Sequence, residues 1–200
     1  MLRQNLQGFL KKSEVLRAEY LVAGTSPYAS APFLRESSRQ MIIVRLQDHW
    51  AHFVKQLIVL SASGKAHTTS GISVVSAHGL TSVRGVEAWL APYTPGTREP
   101  DWHVAQTSLR LARLLRVSNL GNVSAALGSV NSPETDIRTY RNYIVHRNKG
   151  TADKLRQMVR TNGWRPSDIA LLPDVYITGG KRLWEAWLDD LQAVARVASA

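Results

Sequence analysis

Residues 35–62 read RESSRQMIIVRLQDHWAHFVKQLIVLSA. Within them Ile42, Ile43, Leu46, Trp50, Phe53, Val54, Leu57 and Ile58 recur at the steps that mark one face of a helix. A stripe sustained this long predicts a single long helix across 35–62 and a helical fold built around it. The same period continues outward. Upstream, Leu2, Leu6, Phe9, Ser13, Leu16 and Tyr20 predict a first helix ending near Gly24, joined to the long one by a turn-rich linker from Thr25 to Pro32. Downstream, Ser63 to Gly79 is rich in Ser, Thr, Gly and His and reads as a loop with room for a short strand in the β-branched run Ile72-Ser73-Val74-Val75. Val83, Val86, Trp89 and Leu90 predict a short helix closed by Pro92, and Tyr93 to Asp101 a second loop.

Beyond that irregular insertion, about 63–101, the helical period returns. Val104, Leu109, Leu111, Ala112, Leu114 and Leu115 predict one helix, and Ser118 to Val130 a shorter one weakened by Gly121 and Gly128. Ser132-Pro133-Glu134 is a start signal: a capping residue, proline at the first helical position, an acid in the first turn. It opens a helix over about 133–149. Another helix carries Leu155, Met158 and Val159 and ends at Asn162-Gly163; Arg165 to Gly180 is irregular. Trp184, Trp187, Leu188, Leu191 and Ala195 mark the last helix. The expectation is an all-α chain, a helical bundle of about four main helices with short accessory ones, forming one domain over 1–200.

Bulk composition narrows the function classes. The chain holds 25 Lys and Arg against 15 Asp and Glu, a net charge of +10, which points to a polyanion such as nucleic acid. Cysteine is absent, so disulfides, thiolate metal sites and thiol nucleophiles are excluded. Gln4, Asn5, Gln7, Lys11 and Lys12 interrupt the first helix, unlike a signal peptide, and no apolar run is long enough to span a membrane. A soluble, cytoplasmic protein without membrane contact is the expectation.

The helix over about 133–149 holds the residues that suggest chemistry: Arg141-Asn142-Tyr143-Ile144-Val145-His146-Arg147. Asn142 and His146 are four apart and share a face. On a wheel with Ile137 at zero, Ile144 falls near 340° and Val145 near 80°, at about 100° per residue. Arg141 falls near 40°, inside that apolar arc, and His146 near 180°. A guanidinium in an apolar stripe must be paired or given a task, because an unpaired buried charge is expensive. Beside it stand an amide and an imidazole, the side chain most often used for general acid–base work. The plainer alternative is a helix-capping His with a structural Arg.

The spacing resembles the Arg-x4-6-His signature of the HEPN superfamily, with Asn142 as the polar residue that commonly follows the Arg. The likeness is strongest from Ser132 to Lys149. In one subgroup of that family a Tyr stands two residues after the His; here that position is Asn148. The resemblance implies a HEPN-like bundle, a homodimer with motif helices facing across a cleft, and a metal-independent endoribonuclease of a toxin–antitoxin or antiviral defence system. An antitoxin or other defence-system protein would be its partner. The implied products are a 2′,3′-cyclic phosphate and a 5′-hydroxyl. Arg141, Asn142 and His146 are the catalytic candidates. His146 would serve as general base or acid, Arg141 would hold the phosphate, and Asn142 would orient His146 or touch the phosphate. No cofactor is called for.

Arg138, Arg147, Lys149, Lys154, Arg156 and Arg160 surround the motif, with Asp153 the only acid between Ile137 and Arg160. They are the RNA-binding candidates, although solvated helix faces look the same in sequence. Arg110, Arg113 and Arg116 form a second row that extends the track more weakly. Asp48, His49 and His52 invite a metal, but His52 lies opposite the Trp50 stripe and further ligands are missing, so no metal site is expected. His67, His78 and His103 are isolated, and the six tryptophans read as core rather than as base-stacking platforms. Two other functions fit the same residues: a catalytically silent HEPN module that binds nucleic acid or a nucleotide, and a basic scaffold subunit with an acidic protein partner.

Overall fold

The computed structural model describes residues 1–25, 31–94, 100–128 and 133–200. Its elements are α1 (Leu2–Ala23), α2 (Pro32–Ala62), β1 (Ala66–His67), β2 (Ser73–Val74), α3 (Val83–Leu90), α4 (Ala105–Leu115), α5 (Leu120–Leu127), α6 (Pro133–His146), α7 (Lys149–Thr161) and α8 (Leu183–Ser199). Short 3₁₀ turns lie at Ala91–Tyr93 and Ile169–Asp174. The fold is all-α, with one two-stranded antiparallel pair among the described residues, in which Ala66 faces Val74. Every residue of the α1, α2 and α8 stripes is buried, as the helical period requires. The linker residues 26–30, the loop residues 95–99 and the capping position Ser132, with 129–131, lie outside the described residues.

The chain divides into two compact units. Unit 1 comprises Met1–Lys11, His49–Ser132 and Gln192–Ala200. Its core holds Phe9, Trp50 and Phe53 in mutual ring contact, with centroids 4.9–5.7 Å apart. The segment read as an irregular insertion is tied into this unit by polar bonds. Thr69 N–H donates to Ser199 O at 2.9 Å, Ser118 N–H to Val75 O at 2.9 Å, and Ser76 Oγ to Leu115 O at 2.8 Å. Gly71, at φ +88°, makes the tight return between the strands. The β-branched run therefore does form a strand, but only Ser73–Val74 of it pairs.

Unit 2 comprises Lys12–Asp48 and Pro133–Leu191. Tyr20 stacks on Trp184 at 4.1 Å, and Trp187 lies near Tyr140 and Trp164 at 6.2 and 6.5 Å. The segment 165–180, irregular in sequence, folds as the 3₁₀ turn Ile169–Asp174, capped by Asp168, whose carboxylate accepts the Ala170 N–H. The helix expected to reach residue 149 stops at His146. Arg147 there turns left-handed, at φ +37°, and Asn148 starts α7.

Candidate functional site

The inward face of α6 is set by Pro133, Glu134, Ile137 and Tyr140, all buried. The apolar arc drawn on the wheel fades beyond them: Ile144 is half-buried and Val145 is 50% exposed. The last turn of α6 carries the motif past the core. Arg141 and Asn142 are half-buried and His146 is exposed. Arg141 Nη1 donates to Asn142 Oδ1 at 3.4 Å, a long contact, and its buried Nε has no acceptor among the described residues. No carboxylate pairs with Arg141 among those residues.

The α6–α7 junction is built by three residues in sequence. Arg147 N–H still bonds Tyr143 O at 2.8 Å, while its Nη2 donates to Gln40 Oε1 at 2.9 Å. Asn148 then caps α7: its Oδ1 accepts the Thr151 N–H at 2.9 Å, and Thr151 Oγ1 accepts the Asn148 N–H at 3.2 Å. This reciprocal box satisfies two of the first-turn donors of α7. Lys149, Lys154, Arg156 and Arg160 are exposed along α7, with Arg156 held by Asp153 at 2.9 Å. The positive end of the α7 dipole lies three residues from His146 and adds to their field. Arg138 is half-buried and offsets the carboxylate of Glu134, one turn away.

Sequence reasoning missed two features of unit 2. Asp174 accepts from Arg39 Nη1 at 2.6 Å and from Tyr20 OH at 3.2 Å, and lies 3.5 Å from Arg182. Arg39 also lies over the Tyr20 ring at 4.9 Å. The signal was available: Arg39 precedes Ile42 and Ile43 by three and four residues, so it continues the α2 stripe just as Arg141 enters that of α6. This cluster borders a cavity of about 190 Å³ lined also by Arg35, Glu36, Gln40 and Tyr140. Gln40 spans from cavity to motif, donating to Glu36 Oε1 at 2.6 Å while accepting from Arg147. The second feature is the burial of Glu134, the first-turn acid of α6, which is 5% exposed. Burial drives its carboxyl up to about 7, against its own backbone N–H and Arg138. Burial likewise pushes Asp136 up to about 6, with the Trp187 indole pulling the other way.

The remaining candidates scatter. Arg110, Arg113 and Arg116 are exposed and belong to unit 1, whereas the motif belongs to unit 2. Asp48 and His52 are exposed and His49 is half-buried. Among the described residues no three His, Asp or Glu side chains are grouped as a metal ion needs. His67 is exposed, His103 half-buried, and exposed His78 is fixed by Leu114 O, 2.8 Å from its Nε2. No helix among the described residues is long and apolar enough to cross a membrane. No protein-family model, no curated protein and no solved structure matches the chain.

Proposed function

We propose that the chain is a metal-independent endoribonuclease whose reacting groups sit at the end of α6, in the manner the HEPN-like spacing implies. The observation that carries the reading is the pair itself. Arg141 is half-buried without a carboxylate among the described residues, and His146 is exposed beside the basic start of α7. A guanidinium in that state is open to a phosphate, which supplies the missing anion and accepts paired N–H donors. In the proposed reaction the RNA 2′-oxygen loses its proton to an imidazole and attacks the adjacent phosphorus. The P–O5′ bond breaks, the leaving oxygen takes a proton, and a 2′,3′-cyclic phosphate and a 5′-hydroxyl remain.

One helix presents Arg141 and His146 about 140° apart, at about 100° per residue. The reading therefore includes a second copy of the chain. In a symmetric dimer the two His146 imidazoles divide the work of base and acid, and the two Arg141 side chains flank one phosphate. The same angle favours the second reading, a silent module that binds nucleic acid, if the protein acts as a monomer. The setting implied by the resemblance, a toxin or antiviral effector with its antitoxin or defence partner, belongs to the first reading.

The test is purified protein with total RNA in excess EDTA, beside His146→Ala. The expected result is cleavage by the wild type, with cyclic-phosphate ends, and a loss of roughly two or more orders of magnitude in the variant. Cleavage that needs added Mg²⁺, or that persists in His146→Ala, would overturn the nuclease and leave the binding module.

A further inference from the structure

The net charge is not where the motif is. Unit 1 carries ten Lys and Arg against three Asp and Glu, a net +7, whereas unit 2 carries fifteen against twelve, a net +3. One of the three acids of unit 1, Glu87, is held by Lys55 at 3.1 Å. The excess is thus weakly compensated on the unit without the motif.

On that unit three aromatic rings run in contact. His78 lies 4.5 Å from Trp89, and Trp89 4.9 Å from Tyr93, with interplanar angles of 33° and 31°. Trp89, expected as core, is only half-buried, because Val86 and Leu90 occupy the inward face of α3. Both end rings are exposed, Tyr93 by 39%. Each end of the ladder is tied to α4. Arg110 Nη2 donates to Tyr93 O at 3.2 Å, and His78 meets the carbonyl of Leu114, the residue after Arg113. The ladder therefore lies along the helix that carries Arg110 and Arg113. Both arginines are exposed and without an ion pair among the described residues.

We propose that unit 1 carries a nucleic-acid surface separate from the α6 motif, which stacks bases of a single strand on the His78–Trp89–Tyr93 ladder and holds its phosphates on Arg110 and Arg113. Stacking is open to any base with a free π-face, and a row of arginines one helical turn apart tracks a backbone. A duplex offers its phosphates but keeps its bases stacked internally, so the rings select the single strand. The inference does not depend on cleavage at α6.

The experiment is fluorescence anisotropy of the whole protein with dye-labelled oligouridylate and oligothymidylate of about twelve nucleotides, a length within the usual site size. Tyr93→Ala should weaken binding roughly tenfold or more, and Tyr93→Phe should restore it. The double variant Arg110→Gln/Arg113→Gln should lower the slope of log affinity against log salt by about 1.4, the loss of two phosphate contacts. All variants change exposed side chains, and their melting temperatures should match the wild type. Unchanged binding by Tyr93→Ala, an unchanged salt slope, or a duplex competing as well as the single strand would each overturn the proposal. Displacement by polyglutamate as effective as by the oligonucleotide would do the same and give the patch to an acidic protein.

Discussion

Glu134 makes the stability of this protein depend on pH in a direction opposite to that of most carboxylates. Its side chain is 5% exposed at the start of α6, and Oε2 has no partner among the described residues. Burial raises the carboxyl from its usual 4.5 to about 7. That interval corresponds to about 3 kcal/mol at full expression. The helix dipole favours a negative charge there, but by only about 0.3–1 kcal/mol, so burial dominates. Between pH 4.5 and 7 the folded chain keeps a proton that the unfolded chain has released. Stability from this group is complete below about 4.5 and is lost as pH rises through about 7. Glu134→Gln imitates the protonated form at all pH values. Followed by circular dichroism at 222 nm, the two proteins should melt together at pH 4.5. At pH 8 the variant should melt roughly 6–12 °C higher, taking about 2–4 °C per kcal/mol for a chain of this size. Equal melting temperatures at pH 8, or a variant that loses stability with pH as steeply as the wild type, would refute a buried, protonated Glu134.

Four further outcomes follow from the site. Arg141→Met keeps the apolar stem and removes a charge without a carboxylate partner, so cleavage should vanish while urea unfolding shows stability unchanged or raised by up to about 1 kcal/mol. Light scattering at micromolar concentration should find a dimer; a fully active monomer would leave Arg141 and His146 on different faces of one helix and refute the shared site. Asp174→Asn strips the charge that holds Arg39 and Arg182 and should cost about 2 kcal/mol in chemical denaturation, below the range for wholly buried pairs because both partners keep some solvent. Asn148→Ala removes the α7 cap and should cost about 1 kcal/mol, with faster amide exchange in the first turn of α7.

Much of the fold was legible because long helices repeat their inward face every three to four residues. The stripes of α1, α2 and α8 needed no knowledge of what they pack against. Legibility failed where a contact is set by chain far away. Arg39 and Asp174 are 135 residues apart, and nothing local to either announces the other. Glu134 marks the start of α6 as a first-turn acid, and its place three residues before Ile137 puts it on the buried side as well; the first role was read from the sequence and the second was not. The end of α6 was readable in part, since Asn148 followed by Thr151 is a start signal in its own right. Trp89 shows the converse limit: helical spacing puts it beside the core, but only the fold reveals His78 and Tyr93 against its faces.

Arg39 and Arg141 pose the same question in sequence, a guanidinium inside an apolar stripe, and the fold answers it differently. Arg39 receives a carboxylate at 2.6 Å and a Tyr ring at 4.9 Å, so its charge is compensated within the chain. Arg141 receives a side-chain amide at 3.4 Å. An amide oxygen is a poor counterion, and half-burial removes part of the water that would otherwise serve. An arginine kept in that state gains more from an anion that reaches it than a fully solvated one does, because part of its solvent is already displaced. The anion proposed is an RNA phosphate. The prediction that separates this from a merely tolerated arginine is thermal: phosphate or a short RNA should raise the melting temperature of the His146→Ala protein, which binds without cutting, by the mass-action amount for its Kd. Arg141→Met in the same background should lose part of that shift. An equal shift in both proteins would show that Arg141 meets no phosphate and that the nucleic acid is held elsewhere on the chain.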